Sequence, residues 1–138
     1  IQNIVSDYLA ANGFNETMNN SLTKLSYYEE NKDFPAEESV TVLNALSKDL
    51  GQMRQTLLYG LLETAEYNIN RKVSDLRLFE FGNCYKKNLK TFDSDCITKR
   101  YDQSKHLALL TTGKSAESWQ AGRQATDFFF LKNIFSFH

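Results

Sequence analysis

The feature that most constrains this chain is a stretch from Met53 to Tyr85, in which the apolar pattern changes from a helical period to a strand period. Its first half places apolar side chains three and four residues apart, which predicts an amphipathic helix that begins after a capping Thr56. These side chains are Leu57, Leu58, Leu61, Leu62, Ala65 and Ile69. We expect Leu61 and Leu62 to be core residues, so that Leu62→Ala would cost about 2–5 kcal/mol.

The second half of this stretch predicts a strand from Leu76 to Tyr85. Leu76, Leu78 and Cys84 alternate with Phe79, Phe81 and Tyr85, which indicates that both faces of the strand are covered. Gly82 inside the strand indicates a bulge or the close approach of another backbone.

Glu80 is the unusual residue of this strand, because aromatic residues flank it on both sides. A carboxylate in such surroundings needs a cation or several hydrogen bonds. Arg77 points to the opposite face of the strand, so we expect Arg54, Arg71 or a partner chain to supply the cation.

The remainder of the chain supplies the elements that complete a fold around the central helix and strand. We expect a helix from Ile1 to Leu9 stopped at Asn12-Gly13, an extended segment from Phe14 to Lys24, strands at Ser39–Asn44 and His106–Thr112, and a last helix capped by Asp127 with Phe128, Leu131 and Phe135 on one face. This order predicts an α+β fold with a mixed, mainly antiparallel sheet and flanking helices.

Several short motifs of the chain belong together. They are Asn44-Ala45, Met53-Arg54, Leu57-Leu58, Gly60-Leu61-Leu62, Asn68, Asn70-Arg71 and the run from Leu76 to Gly82. In this order they resemble the catalytic-like core of the bacterial phenylalanyl-tRNA synthetase β subunit. The resemblance implies a class II aminoacyl-tRNA synthetase-like fold.

The resemblance also implies a function and partners. The domain would be non-catalytic and architectural, and it would hold no cofactor, while ATP and Mg²⁺ bind to the α subunit that attaches phenylalanine to its tRNA. Its partners would be that α subunit, the rest of the β chain, and tRNA through the whole heterotetrameric complex. In catalytic members a strand ending in an aromatic residue and arginine holds the α-phosphate of ATP, whereas this strand ends in Tyr85-Lys86 and the second catalytic arginine has no counterpart.

The sequence departs from the family pattern at three positions. Ala45 and Tyr59 replace prolines, and Phe130 replaces an acidic residue in Asp127-Phe-Phe-Phe-Leu-Lys. The aromatic residues of the last helix exceed what one face can cover, so we expect Phe129 and Phe130 to meet the rest of the β chain or a neighbouring subunit. The candidate interface or structural residues are Arg54, Asn70, Arg71, Glu80, Phe129 and Phe130.

Composition restricts the class of protein further. Sixteen basic and 17 acidic residues give a net charge of −1, so no overall field attracts nucleic acid or an anionic membrane. No apolar run reaches the roughly 18 residues of a membrane helix, and no signal-peptide pattern occurs at the N-terminus. We expect a cytoplasmic protein with two reduced cysteines, Cys84 and Cys96, and a single domain over residues 1–138 that is a piece of a longer chain.

Other readings remain open at this point. An autonomous adenylate-forming enzyme and a free-standing RNA-binding module are the alternatives to an architectural domain. The segment from Ala108 to Ser115 ends in Gly-Lys-Ser, but alanine replaces the first glycine of a phosphate-binding loop. His106 and His138 lack neighbours at metal-ligand spacing. A basic connection, diluted by Asp93 and Asp95, could touch an RNA backbone, but we prefer a solvated loop as its interpretation, because only Tyr85, Phe92 and Tyr101 are aromatic there. Its cations are Lys86, Lys87, Lys90, Lys99 and Arg100.

Overall fold

The computed structural model describes residues 1–92, 95–114, 122 and 125–135. Its helices are α1 (Gln2–Ala11), α2 (Leu58–Asn70) and α3 (Phe128–Phe135). Its strands are β1 (Asn15–Glu16), β2 (Leu22–Thr23), β3 (Gln52–Met53), β4 (Leu76–Lys87) and β5 (Tyr101–Thr112). Single turns of 3₁₀ helix occupy Leu25–Tyr27, Ala36–Glu38, Lys48–Leu50 and Ile97–Lys99. The predicted α+β class is confirmed.

The strands form one mixed sheet in the order β1-β4-β5 and a small second sheet of β2 and β3. β1 runs parallel to β4, with Asn15 opposite Leu78, whereas β2 and β3 are antiparallel. The Asn88 amide after β4 donates to the Arg100 carbonyl before β5, and the Thr112 hydroxyl at the far end of β5 donates to the Ser74 carbonyl before β4. β4 and β5 therefore run antiparallel to each other.

The residues divide into two compact units. The first consists of residues 1–17, 62–79 and 109–138, and the second of residues 18–61 and 80–108. The first unit buries Leu9, Phe14, Ala65, Leu76, Leu78, Phe79 and Ile134. The second buries Tyr28, Leu57, Leu61 and Cys84 together with the polar residues Ser39, Gln52, Arg54, Gln55 and Glu80. Polar side chains thus form much of the interior of the second unit.

The predicted strand at Ser39–Asn44 is wrong. Thr41 forms only an isolated antiparallel bridge with Gln52, and Asn44 adopts a left-handed conformation with φ of 64° that ends the extended run. The regular pairing is instead between β2 and β3. Apolar alternation in the sequence does not indicate this pairing. β5 also begins at Tyr101, five residues before the predicted start at His106. Its first half is polar and still belongs to the sheet, so apolar alternation does not indicate where the strand begins.

Only part of the predicted apolar stripe on α2 is buried. Leu57, Leu61 and Ala65 lie in the interior, and Leu61 is 1% exposed. Leu62 is 48% exposed, so its prediction as a core residue is wrong. On a helix of 3.6 residues per turn, Leu62 points about 100° away from Leu61. It therefore lies outside the part of the helix surface that other residues of the chain cover.

The prediction for α3 is confirmed at its start and wrong for Phe128. Asp127 caps the helix, since its carboxylate accepts a hydrogen bond of 2.9 Å from the Phe130 amide. The inward face carries Ile134 and Phe130, whereas Phe128 is 72% exposed. The reason is packing with the N-terminal segment: the Phe130 ring stacks on Phe14 at 6.4 Å between centroids, and the Tyr8 hydroxyl donates to the Ile134 carbonyl.

None of the helices in the described part of the chain combines the length and the apolar composition that a membrane span requires.

The neighbouring leucines of α2 provide a test of this burial pattern. We expect Leu61→Ala to lower the free energy of unfolding by about 2–5 kcal/mol, because it leaves a cavity in the interior. Leu62→Ala removes the same atoms from a half-exposed position, and we expect it to cost less than about 1 kcal/mol. Urea denaturation of both variants measures the difference. Equal losses of stability would contradict the burial described for α2.

Candidate functional site

The centre of the second unit is a buried ion pair between Arg54 and Glu80. Arg54 follows β3 directly, and Glu80 lies in β4. The Arg54 Nη1 and Glu80 Oε1 atoms are 2.6 Å apart, and the two side chains are 8% and 1% exposed. Arg54 thus supplies the cation that the Glu80 carboxylate needs between its flanking aromatic residues. It is one of the candidates that the sequence indicates.

Hydrogen bonds complete this ion pair on every side. Glu80 Oε2 accepts from Asn19 Nδ2 at 2.8 Å, and Glu80 Oε1 also accepts from the Asn19 amide at 3.2 Å. Arg54 Nε donates to the Asn83 carbonyl at 3.0 Å. Such bonds compensate the loss of hydration that burial imposes on both charges.

The backbone of Arg54 is held as firmly as its side chain. Its amide donates to the Ser21 carbonyl, and its carbonyl accepts from the Tyr85 amide, each at 2.9 Å. The segment between β3 and α2 is therefore tied to the residue before β2 on one side and to β4 on the other. Arg54 occupies the place where these three parts of the second unit meet.

Gly82 gives the guanidinium its space. A Cβ atom at this position would overlap Arg54 Nη2 and would lie 2.7 Å from a methyl carbon of Leu57. The close approach expected at Gly82 is therefore that of a side chain, and the expected approach of another backbone is wrong. Gly60 plays a related part on α2, because a Cβ there would lie 2.9 Å from Asn19 Cβ.

A second buried polar cluster adjoins this segment and was not predicted. The Gln55 amide donates to the Tyr28 hydroxyl at 3.2 Å, and Gln55 Nε2 donates to Ser39 Oγ at 2.7 Å. Burial raises the pKa of Tyr28 above its ordinary value, so the phenol is neutral at physiological pH. Tyr59, which stands where the family has proline, stacks on Tyr27 at 4.7 Å between centroids. Nothing in the sequence periodicity marks these residues.

The other candidate residues lie in the first unit. Asn70 ends α2 and is exposed, and the Arg71 guanidinium lies 3.4 Å from the centroid of the Tyr67 ring on the same helix. Phe129 is exposed. Phe130 is half-buried, and the Arg77 guanidinium lies 4.7 Å from the centroid of its ring.

The segment that imitates a phosphate-binding loop has a different structure. β5 continues through it to Thr112, and the Lys114 amide donates to the Asp75 carboxylate at 2.9 Å. A loop that binds phosphate leaves such amides to the anion. Ser115 lies outside the described residues.

The remaining titratable candidates are solitary. His106 Nε2 lies 2.7 Å from Ser104 Oγ, while His138 lies outside the described residues. Across the described part of the chain, no three histidine, cysteine or acidic side chains gather as a metal ion would require. Neither cysteine forms a disulfide; burial raises the pKa of Cys84, and a hydrogen bond with Thr98 lowers the pKa of the exposed Cys96.

The family of the chain follows from its sequence relationships. Residues 1–136 match the family model described as the phenylalanyl tRNA synthetase beta chain CLM domain. The chain belongs to this family. Similar proteins are the phenylalanine–tRNA ligase beta subunits of Bacteroides fragilis (43% identity over 98% of the chain), Porphyromonas gingivalis (40% over 96%) and Lactobacillus acidophilus (35% over 87%).

The chain spans only 17%, 16% and 14% of the length of these three relatives.

Arg54, Glu80 and Gly82 form a closed structural cluster in this member of the synthetase beta chain family. A guanidinium neutralised by a carboxylate and packed against a glycine is not available to a phosphate.

The ion pair yields a test with an internal control. We expect Glu80→Met to cost about 3–5 kcal/mol, because it leaves the Arg54 charge buried without a partner. The double variant Arg54→Met/Glu80→Met removes both charges and should recover much of that loss. Urea denaturation of the parent, Arg54→Met, Glu80→Met and the double variant measures the four stabilities.

The control for this cycle is the partly exposed pair of Lys86 and Glu38, whose charged atoms are 3.4 Å apart. Glu38→Met should cost no more than about 1 kcal/mol, since an ion pair in contact with water stabilises little. A double variant that is as unstable as the sum of its single variants would contradict a closed, coupled pair.

Proposed function

We propose that this chain is a non-catalytic, architectural domain of a phenylalanine–tRNA ligase β subunit. It has a class II synthetase-like fold and supports an α subunit that attaches phenylalanine to tRNA. ATP and Mg²⁺ belong to that α subunit, tRNA is bound by the whole complex, and the complex is cytoplasmic. The family match supports the assignment, and the closed Arg54–Glu80 pair is the observation that supports an architectural role.

The disposition of the cations argues against adenylate formation by this chain. An adenylating site needs an arginine fork directed at a phosphate. The resemblance implies that Lys86 occupies the position of that arginine. The Lys86 ammonium lies 3.4 Å from a Glu38 carboxylate oxygen and 5.6 Å from the centroid of the Phe34 ring. Arg77 lies over Phe130, and Arg71 lies over Tyr67.

Exposed apolar side chains support assembly with other protein. On α2, Leu58, Leu62 and Ile69 are each between 44% and 48% exposed, and they share a stripe beside the buried one. On α3, Phe128 and Phe129 are 72% and 66% exposed. Large apolar side chains grouped on a helix face are typical of surfaces that another protein covers.

Co-purification with the α subunit of the same organism tests the proposed assembly. The polypeptide that contains this chain should elute with the α subunit, and Leu62→Asp or Phe129→Asp should weaken that complex by placing a charge in an apolar contact. Ser26→Asp adds the same charge at an exposed turn and serves as the control. An α complex that tolerates both helix variants as well as the control would contradict these surfaces as interfaces.

Calorimetry separates the architectural domain from the adenylating alternative. We expect titration of this chain with ATP and Mg²⁺, with or without phenylalanine, to give no saturable heat, because Arg54, Arg71 and Arg77 each contact another side chain of the fold. Lys86→Arg should not create a site, because the Glu38 carboxylate lies beside this position and would pair with the new guanidinium. A saturable, Mg²⁺-dependent ATP isotherm would overturn the proposal.

A further inference from the structure

The connection between β4 and β5 is the one strongly basic part of a nearly neutral chain. Between Tyr85 and Tyr101 there are five cationic residues and two acidic ones, whereas the whole chain carries a net charge of −1. Lys90 and Lys99 are exposed, and Lys87 and Arg100 are partly exposed. Lys86 lies apart from this group because it contacts Glu38.

Two aromatic rings lie within the same connection. Phe92 and Tyr101 meet edge to face, with 6.3 Å between centroids and an interplanar angle of 86°. They are 38% and 42% exposed, although rings of this size are ordinarily buried. The Lys87 ammonium lies 6.0 Å from the centroid of the Phe92 ring, so a cation and the aromatic pair are adjacent.

Hydrogen bonds within the connection hold these groups in place. The Asn88 amide donates to the Arg100 carbonyl at 2.9 Å, and the Thr91 amide donates to the Asn88 carbonyl at 3.2 Å. The Thr91 hydroxyl donates to the Lys99 carbonyl. Groups that are held in place before binding lose less conformational entropy when they meet a ligand.

We propose that this connection binds single-stranded nucleic acid, with Phe92 and Tyr101 stacking on unpaired bases and Lys87, Lys90, Lys99 and Arg100 contacting phosphates. Exposed aromatic rings beside cations are the two components of single-strand binding surfaces. A base-paired duplex offers phosphates but keeps its bases stacked, and an acidic peptide offers charge but no bases. Asp93, Asp95 and Asp102 lower the local charge, so stacking carries a large share of the affinity.

The rest of the strand extends this surface. Tyr101, Gln103 and Lys105 alternate along the exposed first half of β5 and so share one face of the strand. A strand of nucleic acid that leaves the aromatic pair can follow this face toward Lys105. The inference goes beyond the proposed function, because an architectural domain needs no nucleic-acid contact of its own.

Photo-crosslinking in the assembled complex tests the proposal. The complete β polypeptide, together with its α subunit, is titrated with a 4-thiouridine-containing oligouridylate, and crosslinks are mapped by mass spectrometry. We expect crosslinks at Phe92 or Tyr101, and a single-stranded 4-thiothymidine DNA of the same length distinguishes RNA from DNA. Crosslinks from a 4-thiouridine-containing RNA duplex at the same concentrations, or complete competition by polyglutamate at matched ionic strength, would overturn the proposal.

Variants separate stacking from charge. Phe92→Leu and Tyr101→Leu keep an apolar side chain but remove the ring, and each should raise the half-saturating RNA concentration by about fivefold or more. Leu89→Ala is the control, since Leu89 is exposed in the same connection and has no ring. Each of Lys90→Gln and Lys99→Gln should reduce the slope of log affinity against log salt by about 0.7.

Gel filtration of each variant with the α subunit keeps this test separate from that of the proposed function. Variants that assemble normally but crosslink like the parent would overturn the nucleic-acid proposal alone. Variants that assemble normally and lose crosslinks, while Leu89→Ala keeps them, would support it.

Discussion

The buried pair of Arg54 and Glu80 is the interaction on which the second unit depends. Two charges removed from water destabilise a fold unless each finds its counter-charge and its hydrogen bonds. Here the requirement is met by Asn19 before β2, by the Asn83 carbonyl and by the missing side chain of Gly82. The pair therefore fixes the approach of three separate segments, which apolar contacts alone would specify less sharply.

The sequence was sufficient to find one half of this arrangement. A carboxylate between Phe79 and Phe81 has to be neutralised, and strand alternation removes Arg77 as its partner. The choice between Arg54 and Arg71 could not be made, because it depends on which segment the tertiary fold brings to β4. Asn19 was out of reach for the same reason, since its segment shows only a polar alternation that also suits a strand facing solvent.

Local patterns located the helices well and their buried faces less well. Gly13 marks the end of α1, because it adopts a positive φ of 80°. Asp127 marks the start of α3, because its carboxylate accepts the capping hydrogen bond. The buried arc of α2 or α3 is decided by what packs on it. Leu62 and Phe128 belong to apolar patterns that extend past that arc, and the pattern by itself does not say where the covering layer stops.

Several of the residues that carry the family resemblance meet one another within the second unit. Met53-Arg54, the glycine of Gly60-Leu61-Leu62 and the Glu80-Phe81-Gly82 end of the strand motif all contribute to the cluster around Asn19 and Arg54. Gly60 admits Asn19 to the surface of α2, Asn19 binds Glu80, Glu80 binds Arg54, and Gly82 admits Arg54. The charged residues of this cluster neutralise each other, and its glycines make room for those contacts. Such residues specify how the interior of a fold packs. This is the physical content of the resemblance in this chain, and it favours an architectural role over phosphate chemistry.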